Sequence, residues 1–239
     1  MSQKYILVID EGTTGTRALL VDKDSQVKAQ AYTEFEQYHP APDRVEHDAE
    51  EIWEKTVAMM RQAMDEGGVA ADEIAAIGIT NQRATTVLWD RETGEPVGKA
   101  IVWQDTRTAD FIEEIREEWA DKVYGRTGWA LAPVYSSLSL HWMLNNLPGL
   151  QEQAAEGRLA FGTIDSWLIH KLTGGKVHAI AASNASVTGS YDLLNDEWYG
   201  EWLDFLGLPL SLFPAVYPDS GQFGMSDPAL LGAAVPITG

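Results

Sequence analysis

The 239-residue chain contains no cysteine. That removes disulfides, thiolate nucleophiles and cysteine metal ligands, and it fits a reducing cytoplasm as the expected compartment. Basic residues are scarce: 17 Lys and Arg stand against 36 Asp and Glu, a formal charge of −19. A field of that sign repels nucleic acid and anionic bilayers, so neither is expected as a partner. No apolar run approaches the roughly 18 residues that a membrane-crossing helix needs. The first residues also lack the basic and then apolar pattern of a secretion signal. Internal repeats, linkers and low-complexity tracts are missing. His39, His47, His141, His170 and His178 are scattered without metal-ligand spacing, which argues against zinc.

The most informative stretch lies near the start. The run Tyr5-Ile6-Leu7-Val8-Ile9 reads as a buried strand ending at Asp10, Gly12 and Gly15 permit a tight turn, and Ala18 to Val21 reads as the returning strand. The tip gathers one carboxylate, the hydroxyls of Thr13, Thr14 and Thr16, the Arg17 guanidinium and backbone N–H groups. Glycines let such donors approach anionic oxygens and arginine adds charge-assisted bonds, so the tip suits a phosphate chain. Asp10 is placed to hold Mg²⁺, which takes one or two carboxylates and fills its shell with phosphate oxygens and water. The tip is not a strand-to-helix phosphate loop, because Gly-Lys-Ser/Thr is missing and no helical pattern follows.

Val27 to Phe35 reads as a third strand and Tyr38 to Val45 as a loop. Asp48 with Glu51 three positions later is a capping signature. Ile52, Met59, Met60, Ala63 and Met64 then share one helical face until Gly67-Gly68 stops the helix. Ala75 to Trp89 reads as a second strand-turn-strand with Asn81, Gln82 and Arg83 at its turn. Three strands, a helix and two strands fit an RNase H-like α/β domain, a mixed sheet flanked by helices, better than a doubly wound sheet. From Thr106 the pattern is mostly helical, an insertion region with helices over Thr108–Trp119, Ser137–Asn146 and Ile164–Leu172 and a shorter one near Trp198–Leu206. Phe111, Ile112, Ile115 and Trp119 form a core stripe, opposite a solvated face of Glu113, Glu114, Glu117 and Glu118. Gly232 to Gly239 is apolar and strand-like.

Taken in order, Asp10-Glu11-Gly12-Thr13-Thr14, Asn81-Gln82-Arg83-Ala84-Thr85-Thr86, Trp103-Gln104-Asp105-Thr106-Arg107-Thr108, Phe161 to Leu168 and Ser183-Asn184-Ala185-Ser186 resemble the FGGY carbohydrate kinases of the actin-like ATPase superfold. Among these they look most like the glycerol kinases, over the whole of Tyr5 to Gly239. The resemblance implies that residues 1–239 form an N-terminal, acceptor-binding domain of an ATP-dependent kinase that phosphorylates a hydroxyl of a small polyol or sugar. It implies ATP and Mg²⁺ at Asp10, Gly12, Thr13, Thr14 and Arg17, with Asp10 as the metal ligand, and an acceptor oriented by Gln82, Arg83 and Trp103. It places no catalytic residue inside the chain, because the family's aspartate base follows the strand that Gly232 to Gly239 resembles and most adenine contacts come from a second domain. The fragment alone is therefore expected to be inactive. Family members often self-associate, so a homo-oligomer is compatible with the resemblance. The acidic charge means that nucleotide binding depends on local donors and on the metal.

Three positions depart from the glycerol kinase pattern. Ala84 stands for a glutamate, Val134 for a tyrosine when Pro133 is aligned, and Ala181 for an aspartate. A hydrogen bond to a charged group contributes about 1.5–3 kcal/mol, so losing the glutamate weakens glycerol binding by roughly ten- to a hundredfold or more. Tyr135 is one residue away from the tyrosine position, but a one-residue shift in extended chain turns a side chain to the opposite face. The expected acceptor is accordingly larger than glycerol or less polar. The alternatives are a non-catalytic sensing or interaction module of the same fold and, behind it, a hydrolase of the superfold. The hydrolase needs further acidic metal ligands near Asp10, where Asp165 is the residue that stands out.

Overall fold

The computed structural model describes residues 4–239. Strand β1 (Tyr5–Glu11) pairs antiparallel with β2 (Gly15–Asp22), which pairs antiparallel with β3 (Val27–Glu34). A two-residue strand, β4 (Glu46–His47), leads into helix α1 (Ala49–Gly67), and the chain returns as β5 (Ile74–Asn81), parallel to β1. The resulting mixed sheet has the order β3-β2-β1-β5. Its alternation is set by α1: Leu7, Ile9 and Glu11 are fully buried, whereas Ile6 on the other face is half-exposed.

The expected face of α1 is buried at Ile52, Met59, Met60, Ala63 and Met64, each worth roughly 1.5–3 kcal/mol of transfer free energy, less for Ala63. The Asp48 carboxylate caps the helix by accepting from the N–H groups of Glu50 and Glu51 at 2.9 and 3.2 Å. Gly68 ends it at φ 63°. The capping signature is realised on one side only. Glu51 does not reach back to the cap but accepts from the Glu36 N–H and pairs with Lys55.

The second strand-turn-strand does not form a hairpin. Strand β6 (Val87–Asp90) leaves β5 and pairs antiparallel with β8 (Leu159–Gly162), after β7 (Ala100–Ile101), α2 (Ala109–Thr127), α3 (Ser136–Asn146) and α4 (Leu150–Ala155). Two features explain this. Both edges of β5 are occupied, by β1 and by the last residues, where the Ile77 N–H donates to Pro236 O at 2.8 Å and the Thr238 N–H to Ile77 O at 3.0 Å. Ala84, between the strands, has φ 64°, which turns the chain away. The expected C-terminal strand is thus a short parallel pairing, seen as the single bridge Ile77–Ile237 beside β5.

Helix α2 runs past its expected end at Trp119 and adds Val123 and Thr127 to the buried stripe; Phe111 is only partly buried and stacks on His141 at 4.4 Å. Glu113, Glu114, Glu117 and Glu118 are exposed, as read from the sequence. Helix α5 (Ile164–Leu172) has its expected bounds; it is followed by β9 (Ala179–Ala181), the one-turn α6 (Ala182–Ala185) and α7 (Gly200–Leu206). Two cores result. One lies between the sheet, α1 and α5; the other joins α2, α3 and α7, with Trp119 and Trp202 centred 5.1 Å apart. Among the described residues no helix is long and apolar enough to cross a membrane.

Candidate functional site

The β1–β2 hairpin presents its tip at the end of the sheet where β1 and β5 both terminate. The Gly12 N–H donates to Gly15 O at 3.0 Å, closing the turn. Gly15 is required there: a Cβ would stand 2.4 Å from Thr33 O. Asp10 and Arg17 face each other across the hairpin, with the guanidinium 3.7 Å from the carboxylate and both side chains about half-exposed. A pair that long and wet is worth about 0–1 kcal/mol, so both groups remain free to take a ligand. Thr13 is partly exposed and Thr14 exposed.

Thr16 differs from the sequence expectation. Strand alternation turns it inward, where it is fully buried opposite Glu11 with its hydroxyl 3.4 Å from that of Thr56. Glu11 itself is missed by the sequence reading, although the same alternation places it on the α1 side with Leu7 and Ile9. One carboxylate oxygen accepts from Thr56 Oγ1 at 2.9 Å and the other has no protein partner. Burial pushes its pKa up to about 7, against the opposing effect of the nearby Thr16 and Thr56 hydroxyls and with a smaller push from the Asp10 charge.

Gln82 also turns away from the role expected of it. It is 7% exposed and points to the base of the hairpin tip instead of toward an acceptor. Its amide donates to Gly12 O at 3.2 Å and lies 3.3 Å from His47 Nδ1, while its carbonyl accepts from Thr85 Oγ1 at 2.9 Å. The Gln82 N–H donates to Glu11 O at 2.7 Å. Gln82 therefore fastens the end of β5 to the hairpin tip. Burial holds His47 down at about 4, so its ring is neutral, with Nδ1 facing the Gln82 amide and Nε2 facing Gln37 Oε1 at 2.8 Å.

Next to the hairpin lies a cavity of about 240 Å³ lined by Arg83, Ala84, Trp103, Trp129, Val134, Tyr135 and Val187. Five of the six residues proposed for an acceptor thus meet, and Gln82 is the exception. Trp103 is 42% exposed rather than part of the core, and its indole N–H donates to Thr13 Oγ1 at 3.1 Å. Val134 and Tyr135 both reach the cavity because Val134 sits in the turn ahead of α3, which breaks the alternation that would have separated them, while Tyr135 is itself extended at φ −70° and ψ 124°. The Tyr135 ring lies over Gly189, whose added Cβ would come within 2.2 Å of it. Its hydroxyl is buried without a partner, and burial pushes its pKa up. The Ala84 carbonyl accepts from Ser136 Oγ at 3.0 Å and from Thr86 Oγ1 at 3.2 Å. Trp129 and Val187 were not anticipated; an exposed aromatic after the α2 stop is the one trace that Trp129 leaves in sequence.

Arg83 also borders a second, polar cleft of about 350 Å³ with Ile79, Thr80, Asn81, Ala181, Ser183, Asn184, Asp219 and Gly239. Asn81 and Asn184 exchange two hydrogen bonds there, at 3.2 and 3.0 Å. Asp165 does not face this cleft. It is buried, accepts from the Ala181 N–H at 3.0 Å and from Thr163, and burial raises its pKa. It therefore holds β9 to α5, and among the described residues no three Asp, Glu or His side chains gather as a metal cage would require. The donor set at the hairpin fits Mg²⁺ of the kind that enters with a polyphosphate: one half-exposed carboxylate, Asp10, weakly engaged by Arg17.

Comparison with known proteins shows the family and the fold. A family model described as the FGGY family of carbohydrate kinases, N-terminal domain, matches residues 5–239. Glycerol kinase from Brucella ovis is 49% identical over 236 residues, covering 98% of this chain and 47% of that protein. Glycerol kinase from Alcanivorax borkumensis is 50% identical over 236 residues, covering 98% and 48%. The chain spans about half the length of the curated relatives it matches. Plasmodium falciparum glycerol kinase, solved with ADP, superimposes with a TM-score of 0.94 at 28% identity, over 100% of this chain and 48% of that one. Xylulose kinase from Lactobacillus acidophilus shares the fold, with a TM-score of 0.88 at 21% identity over 98% and 47%.

Proposed function

The chain belongs to the FGGY family of carbohydrate kinases, and on that premise we propose that it is the acceptor-binding half of an enzyme that transfers the γ-phosphoryl group of ATP to a hydroxyl of a small polyol or sugar. The observation that carries this reading is the direct bond between the two candidate subsites. Trp103, in the wall of the cavity, donates to Thr13 at the hairpin tip at 3.1 Å, so an alcohol in the cavity lies beside a phosphate at the tip.

Phosphoryl transfer depends mainly on positioning and on charge stabilisation. Thr13, Thr14, Arg17 and the N–H groups near Gly12 would hold the terminal phosphates, each charge-assisted bond contributing about 1.5–3 kcal/mol. Mg²⁺, held by Asp10 directly or through water, would neutralise charge on the transferring oxygens. Arg83 and Trp103 would orient the acceptor, and Gln82 would keep the hairpin tip in register with β5. The adenine contacts and the base that takes the acceptor proton belong, in this reading, to the other half of the relatives' length.

The test is ATP turnover by the complete gene product across a panel of polyols and sugars, with Asp10→Asn and Arg17→Ala as variants. Magnesium-dependent phosphorylation that both variants depress by tenfold or more is the expected result. Absence of turnover with every alcohol, while a diol still protects the cavity residues, would instead favour a sensing module.

A further inference from the structure

The acceptor cavity has an unusual chemical bias, and naming its occupant an acceptor rests on the kinase reading of that site. Among its side chains the wall offers donors and no free acceptor. The polar side-chain groups are the Arg83 guanidinium, the Trp103 indole N–H already given to Thr13, the Trp129 indole N–H and the sealed Tyr135 hydroxyl. The Ala84 carbonyl is engaged twice. A hydroxyl pushed against Ala84, Val134 and Val187 would therefore surrender water without finding a partner for its proton. At the Arg83 side the character reverses, because the polar cleft with Thr80, Asn81, Ser183 and Asn184 opens there.

We propose that the cavity bounded by Ala84, Trp129, Val134 and Val187 takes the apolar arm of a small alcohol whose hydroxyls lie toward Arg83, making the acceptor an alkyl-bearing diol or deoxy-polyol rather than a fully hydroxylated chain. Trp129 and Val187 are then specificity residues, and the two tryptophans flank the arm. Volume allows it: a cavity of about 240 Å³ has room for more than a single methyl group.

A site built to bond a hydroxyl rejects the analogue lacking it by roughly ten-thousandfold, whereas an apolar pocket discriminates one methylene by only about 10- to 200-fold. The experiment compares equilibrium binding of glycerol, propane-1,2-diol and butane-1,2-diol to the complete gene product without nucleotide, by saturation-transfer NMR and tryptophan fluorescence. Propane-1,2-diol is expected to bind at least as tightly as glycerol, and butane-1,2-diol several-fold tighter again. Trp129→Ala, at a half-exposed position, and Val187→Thr, a change that keeps the side-chain shape, are expected to remove that increment. Glycerol binding tenfold or more tighter than propane-1,2-diol, no detectable diol binding, or a diol preference unmoved by either variant would overturn the inference. ATP turnover is scored separately: its absence with every alcohol removes the kinase reading, while the order of affinities still decides what the cavity takes.

Discussion

Replacing Glu11 by glutamine should change how stability responds to pH, and the structure fixes both sign and size. Glu11 is fully buried, has one unpartnered oxygen, and titrates at about 7 instead of 4.5. Its folded-state pKa lies above the unfolded one. Between pH 4.5 and 7 the native protein therefore keeps a proton that the unfolded chain has released, and stability falls as pH rises. At about 1.4 kcal/mol per pH unit the full loss is about 3 kcal/mol, complete by roughly pH 8. Three histidines act in the opposite direction, His170 among them, which burial also holds below its ordinary value. His47 and His178 are held at about 4 by burial, so the unfolded chain binds their protons more tightly between about pH 4 and 6.5, and their neutral forms add stability as pH rises through that window. Other groups, the buried Asp165 among them, titrate as well, so the Glu11 contribution has to be read as a difference between proteins. Glu11→Gln keeps the Thr56 bond but leaves an amide N–H₂ where the unpartnered oxygen stood, which costs about 1–3 kcal/mol at every pH. Urea unfolding in magnesium-free buffer from pH 5 to 8.5 should show the variant gaining on the parent by about 3 kcal/mol across the range. A difference that stays flat would mean that Glu11 is ionised in the folded protein at all these pH values, and the burial argument would be wrong.

Other consequences are equally checkable. Trp103→Phe and Thr13→Val each remove the bond between cavity and hairpin, and a double-mutant cycle on kcat/KM should return a coupling of about 0.5–1.5 kcal/mol; a coupling of zero would leave the two subsites independent. Gly15→Ala forces a methyl group to 2.4 Å from Thr33 O and should destabilise by about 1–3 kcal/mol or more in thermal unfolding. Asp48→Ala should cost about 1–2 kcal/mol by stripping the cap of α1, and Asp48→Ser should restore most of it. Ala84→Gly relieves a left-handed alanine and should be neutral or slightly stabilising, since strain of about 1–2 kcal/mol is set against greater backbone freedom in the unfolded chain.

The sequence made the opening hairpin, α1 with its cap and stop, and α5 legible, because their signals are local: glycine at a turn, a carboxylate ahead of an apolar stripe, periodicity along one face. It also marked Arg83, Ala84, Trp103, Val134 and Tyr135, which the fold brings to one cavity. What it hid depends on distant partners. Whether β6 pairs with β5 or with β8 is decided by residues some seventy positions apart, joined through register Val87–Gly162, and by Ala84 taking a conformation more usual for glycine. The resemblance marks Gln82 as an acceptor residue; its amide is consumed by Gly12, His47 and Thr85, none of which its neighbours announce. Thr16 and Glu11 were within reach, since period-two alternation from Leu7 and Ile9 already assigns both to the covered face.

The anchoring of the Gly12 carbonyl by Gln82 has an effect on the residue after it. A trans peptide unit is planar and carries its C=O and the following N–H in opposite directions, and among the described residues there is no cis bond. Once the oxygen of Gly12 is tied inward to the Gln82 amide at 3.2 Å, the Thr13 hydrogen can only aim outward. One donor at the tip is consequently oriented before any phosphate arrives, and the rotational freedom it would otherwise surrender on binding has already been given up in folding.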